Sequence, residues 1–129
     1  MEFTLIRKIN ASARDIYTLW LSSEGHSKIT GGAALSSDQV GDHFTAWDSY
    51  IEGTNLILEP YKRIVQSWRT SEFKEDEPNS QIEILLSEDD GKTEFTLIHS
   101  NVPDSGEHYK KGWDEHYFEP MQTYFQGHQ

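Results

Sequence analysis

No cysteine occurs among the 129 residues, which excludes disulfides, thiolate metal sites and cysteine nucleophiles. Basic residues are scarce: 11 Lys and Arg against 22 Asp and Glu give a formal net charge of −11. The longest basic runs are the pairs Arg7-Lys8, Lys62-Arg63 and Lys110-Lys111. Binding to nucleic acid or to an anionic lipid surface draws on clustered cations, so neither partner is expected. The acidity reads instead as a solvated, self-repelling surface. No apolar run approaches the ~18–20 residues a membrane helix needs. Met1 to Arg7 has no basic start followed by an apolar block, so no signal peptide is read and the cytoplasm is the expected compartment.

Aromatic side chains, in contrast, are plentiful. Four Trp, six Tyr and six Phe make up 12% of the chain, enough large rings to build a core or wall a pocket from few positions. Hydrophobic residues at 35% and charged residues at 26% fit one globular domain, taken as residues 1–129, without linker or internal repeat.

Residues 3–9 alternate loosely and predict a first strand. Ser12, with Asp15 three residues on, resembles a capping box opening a short helix on which Ile16, Leu19 and Trp20 share a face. A second short helix is predicted from Ser23 to Ile29, ended by Thr30-Gly31-Gly32. Strands are predicted over 33–37, 42–47, 50–58, 63–70, 80–88 and 92–100. Asp89-Asp90-Gly91 reads as a tight hairpin, and Glu59-Pro60-Tyr61 as a further turn. The stretch from Ser71 to Ser80 is too polar to bury and reads as a solvated loop.

Beyond Pro103, Asp104 with Glu107 is placed to cap a final helix reaching about Phe125. Tyr109, Trp113, Tyr117 and Met121 recur every four residues along it, widened by Phe118, Tyr124 and Phe125. Burial of such a stripe is worth about 1.5–3 kcal/mol per large side chain, and the only wide apolar surface available is the sheet. Pro120 cannot donate to the carbonyl of His116, so a bend is expected there. By alternation, Ile82, Ile84 and Leu86 face inward with Phe95, Leu97 and His99, and with Ile64, Gln66 and Trp68. Leu56 and Leu58 are assigned to the same face, with Gly53 as a candidate bulge. One strand, two short helices, six strands and one long helix make an α+β fold with helices on one side of an antiparallel sheet.

Three segments carry a resemblance that covers essentially the whole chain. RIVQSWR (Arg63 to Arg69), FTLIHSNVPDS (Phe95 to Ser105) and KGWDEHYFEPMQTYF (Lys111 to Phe125) resemble the activator of heat-shock protein 90 ATPase homologue family, within the START-like (SRPBCC) superfamily. The resemblance implies a helix-grip fold: a curved antiparallel sheet of about six to seven strands around the long C-terminal helix. In the family's eukaryotic co-chaperones this domain follows a separate N-terminal domain. With a first strand starting next to Met1, that domain is expected to be missing here. Stand-alone members of the superfamily resemble carriers, sensors or enzymes for apolar molecules, and no cofactor is implied.

Trp68, Trp113 and Tyr117 are expected to meet between sheet and helix, where they either fill a solid core or wall an apolar pocket. Gln66 and His99 are polar at inward-facing positions and need a partner, a water or a ligand. The candidate ligand-contacting residues are therefore Gln66, Trp68, His99, Trp113, Tyr117 and Met121. His108 and His116 are eight residues apart on one helix, and His26, His43 and His128 are scattered, so no metal site is assembled by spacing. No GxSxG motif is present, and acid–base chemistry would fall to His99 with Tyr117 or Tyr50. Thr30-Gly31-Gly32 is too short for a phosphate loop and reads as a turn near the pocket mouth. Three functions remain open. The first is a non-catalytic domain binding an apolar small molecule. The second is a partner of a heat-shock protein 90 chaperone in stress response, meeting it through the acidic loop 72–78 or a helix face. The third is a cyclase- or aromatase-like enzyme.

Overall fold

Ser12 ends the first strand and starts the first helix by accepting the Asp15 backbone N–H at 3.1 Å. The computed structural model describes residues 1–126, so His128 lies outside the described residues. The elements are β1 (Phe3–Ile9), α1 (Ala13–Trp20), α2 (Ser23–Thr30), β2 (His43–Ala46), β3 (Ile51–Glu59), β4 (Arg63–Thr70), β5 (Ser80–Asp89) and β6 (Lys92–Ser100). The last third continues with a 3₁₀ turn (Asp104–Gly106), α3 (His108–Trp113), a π-helical segment (Asp114–Phe118) and α4 (Glu119–Gln126). Six strands form one antiparallel sheet in the order β1-β6-β5-β4-β3-β2. Among the described residues no helix is long and apolar enough to cross a membrane.

The expected inward set on β4, β5 and β6 is observed. Ile64, Gln66 and Trp68, Ile82, Ile84 and Leu86, and Phe95, Leu97 and His99 are all buried. The final helix lies across this face, with Phe118 edge-on to Phe95 at 5.2 Å and Met121 wholly enclosed. Arg7 on β1 grips Asp114 with two hydrogen bonds of 2.8 Å, fixing the middle of the helix to the sheet edge.

Four expectations are corrected. Residues 33–37 contribute an isolated bridge, Leu35 to Thr45, and not a strand. The register of β3 against β4 slips between Asn55 and Ile57, so Asn55 turns inward and Leu56 is exposed. Gly53 is demanded by close approach and not by that bulge, since a Cβ there would sit 1.8 Å from the Ser67 carbonyl. The 71–80 loop is polar as read, yet Phe73 is buried against Trp68 and Tyr109.

The final helix also starts differently from expectation and is irregular before Pro120. Neither Pro103 nor Glu107 supplies a side-chain cap, and a 3₁₀ turn precedes the helix in place of a capping box. Before Pro120 the helix widens: the Glu119 N–H reaches back to the carbonyl of Asp114. This π turn accommodates a residue that has no N–H and whose ring crowds the preceding turn.

Candidate functional site

Spacing by four places Tyr109, Trp113 and Tyr117 on one face of the final helix, opposite Trp68 of β4. Trp68 and Trp113 have ring centres 5.7 Å apart, and Trp113 and Tyr117 4.8 Å. These rings pack against one another and are almost fully buried. Beside them lies a half-open cavity of about 470 Å³, also bordered by Trp47, Tyr50 and Ile51. That volume falls within the ~300–1,000 Å³ typical of small-molecule sites. His108, Lys111, Glu115 and His116, all exposed, form its rim, where Lys111 pairs with Glu115 at 3.5 Å.

The wall contributed by Trp47 rests on a strained turn. Trp47, Asp48 and Ser49 are consecutive non-glycine residues with positive φ (56°, 55° and 73°), a conformation that costs about 1–2 kcal/mol per residue. It is held from the other side of the mouth. The Asp48 N–H donates to the Ala33 carbonyl at 2.9 Å, and Asp48 Oδ1 accepts the Ala33 N–H at 3.1 Å. Gly32 abuts Trp47 so closely that a Cβ would lie 3.2 Å from the Trp47 Cα, which brings the Thr30-Gly31-Gly32 turn beside the cavity.

Polar atoms of the surrounding rings are turned into the wall. The Trp113 Nε1–H donates to His99 Nδ1 at 3.1 Å, which leaves the His99 proton on Nε2, facing Ser80 Oγ at 2.9 Å. Ser80 donates in turn to the Trp68 carbonyl at 2.6 Å. His26 Nδ1–H donates to the Trp20 carbonyl at 2.9 Å, so its Nε2 accepts from the Tyr117 hydroxyl, also at 2.9 Å. Tyr109 hydrogen-bonds Thr70, and the Tyr50 hydroxyl donates to Glu72.

The electrostatics follow from this enclosure. Burial, reinforced by the Met1 ammonium, pushes the His99 imidazole down to about 3. Burial also lowers His26 against the opposing pull of the Trp20 carbonyl, and it raises the Tyr117 hydroxyl. Hydrogen bonds from Tyr50, then His108, hold the Glu72 carboxyl below its usual range.

Of the six candidate residues, Trp68, Trp113 and Tyr117 border the cavity and Gln66, His99 and Met121 do not. Gln66 donates to Asn55 Oδ1 at 2.8 Å and accepts the Trp20 indole N–H at 3.2 Å, so its amide is spent inside the core. His99 lies behind Trp113, and Met121 is core one turn beyond the cavity. The sequence reading missed Trp47, Ile51, His108 and His116 as lining residues. Tyr109 was in the helical stripe, and its spacing was the available signal. Among the described residues no three His, Asp or Glu side chains gather as a metal-binding group.

The family model described as Activator of Hsp90 ATPase homolog 1-like protein matches residues 10–126. Two curated relatives are similar in sequence. The human activator of 90 kDa heat shock protein ATPase homolog 1 is 25% identical over 125 residues, covering 96% of this chain and 37% of the relative. The Dictyostelium discoideum activator of 90 kDa heat shock protein ATPase homolog is 27% identical over 112 residues, covering 84% of this chain and 29% of the relative. The chain thus spans about a third of the length of these proteins. Among solved structures, an HSP90 activator from Plasmodium falciparum superposes with a TM-score of 0.90 at 18% identity, over 98% of this chain and 96% of the other. That likeness establishes the helix-grip fold.

Proposed function

Because the chain belongs to the activator of Hsp90 ATPase homolog 1-like family, we propose that it is a non-catalytic binding domain of that family, holding an apolar small molecule between sheet and final helix. The observation that carries this reading is the cavity of about 470 Å³ bordered by Trp47, Tyr50, Trp68, Tyr109, Trp113 and Tyr117. Four of those rings have their hydroxyl or indole N–H committed to the protein, so the cavity is offered chiefly carbon surface.

The same hydrogen bonds weigh against a cyclase-like enzyme. His99 stands behind Trp113, the Tyr117 hydroxyl is aimed at His26, and the Tyr50 hydroxyl is bound to Glu72. A general acid or base must reach the reacting group within hydrogen-bonding distance.

The test is native isolation. Protein purified from its own host, extracted into organic solvent and examined by mass spectrometry is expected to yield one apolar molecule per chain. A Gly112→Phe variant, with a ring placed at the cavity border, is expected to yield none. Recovery of the same molecule from both proteins would refute the assignment.

A second reading is favoured by the relatives' names: partnership with a heat-shock protein 90 chaperone. The acidic loop offers a pinned surface for it. Arg69 donates to the carbonyls of Lys74 and Glu77 and to Asn79 Oδ1, leaving Glu75 and Asp76 exposed. A pull-down and an ATPase assay with the host chaperone test this reading. Binding that is lost in a Glu75→Lys/Asp76→Lys variant would support it, and no effect of the domain in either assay would remove it.

A further inference from the structure

We infer that the cavity's ligand carries a hydrogen-bond acceptor on its apolar body, and that the indole N–H of Trp68 donates to it. The inference rests on the cavity being a ligand site and adds the chemical class of the ligand. Every other enclosed ring around the cavity has its polar atom matched: Trp113 by His99, Tyr117 by His26 and Tyr109 by Thr70. Trp20, stacked behind Trp113, gives its N–H to Gln66. Trp68 is only 4% exposed, yet its Nε1 has no hydrogen-bond partner among the described residues.

No fully enclosed side-chain nitrogen or oxygen among the described residues lacks a partner. Nε1 of Trp68 is therefore not fully enclosed, and Trp68 borders the cavity. A donor in such a place is satisfied by water in the free protein and by a ligand acceptor in the complex. The Trp47 indole is half-buried at the mouth, where bulk water competes for its N–H. Among the enclosed rings of the wall, Trp68 alone thus has a donor without a protein partner among the described residues. A ketone, quinone or ester on an apolar frame matches it.

Two probes of nearly equal shape, 2-acetylnaphthalene and 2-isopropenylnaphthalene, isolate the acceptor. Binding of each to wild-type and Trp68→Phe protein is measured by calorimetry. The preference for ketone over alkene is expected to fall about three- to tenfold in Trp68→Phe, the net worth of one neutral hydrogen bond. In the wild type, the Trp68 indole ¹H–¹⁵N resonance is expected to move downfield with the ketone and not with the alkene. That spectrum decides alone if Trp68→Phe does not fold. An unchanged preference, or an indole resonance indifferent to the bound ketone, overturns the inference while leaving the cavity reading intact. Failure of both probes to bind overturns the cavity reading and the inference with it.

Discussion

Trp113 on the final helix donates its indole N–H to Nδ1 of His99 on β6 at 3.1 Å, joining helix and sheet behind the cavity. The bond forces the neutral tautomer of His99 with its proton on Nε2, and Ser80 receives that proton's hydrogen bond. One histidine thereby satisfies two buried groups from two elements. His99→Phe keeps the ring volume roughly constant but strands the Trp113 N–H and leaves Ser80 without its donor. A loss on the order of 2–4 kcal/mol is expected in urea denaturation. An effect under about 0.5 kcal/mol would show that the link is incidental.

The pH dependence of stability follows from the same burial. Both His26 and His99 are lowered from 6.5, so the unfolded chain takes up protons first as the pH falls. The histidine contribution is then constant well above pH 6.5 and declines below it, with His99 contributing down to about 3. Each histidine adds a slope of at most about 1.4 kcal/mol per pH unit. Between about pH 5 and 6.5 ordinary carboxylates remain ionised, so the slope there reports on the histidines. His99→Phe should remove about half of it, as measured by denaturant midpoints across that window.

Two glycines should respond very differently to a methyl group. At Gly53 a Cβ would meet the Ser67 carbonyl at 1.8 Å and the Phe44 ring at 2.7 Å. Gly53→Ala is expected to cost on the order of 3 kcal/mol or more, because backbone must move to relieve the clash. Gly91 has open space around it and a φ of 77°, so Gly91→Ala should cost only about 1–2 kcal/mol of conformational strain. Thermal melts of the two variants side by side check the contrast.

The architecture was legible where alternation was clean. Ile82, Ile84 and Leu86 and the every-fourth aromatic stripe set the inner face and the helix that covers it. Legibility failed at Leu56, because a bulge inverts the phase of every later residue and leaves no residue-type mark. It failed again at Trp47 and Ser49, whose left-handed turn uses no glycine and is imposed by Asp48 bonding to Ala33. Gln66 was rightly read as a buried polar group. Its partners, Trp20 and Asn55, come from other elements, and only the folded chain brings them together. Pro120 marked an irregular helix, but the widened turn that accommodates it lies upstream of the proline itself.

The most direct test is a comparison of wild-type and Gly112→Phe protein titrated with 2-acetylnaphthalene while tryptophan emission and melting temperature are followed. Gly112 borders the cavity in a helix, and a Cβ there meets nothing closer than His116 Cδ2 at 3.8 Å. The Cβ therefore fits without a clash, the ring is expected to fill the void, and replacing a helical glycine by Phe should raise stability by no more than about 0.5 kcal/mol. In the wild type, saturation should shift the emission and add about 2.7 kcal/mol of stability at a hundred times the dissociation constant. A stably folded Gly112→Phe protein that no longer responds is the predicted result. Equal responses from the two proteins would place binding elsewhere and contradict the cavity as the site.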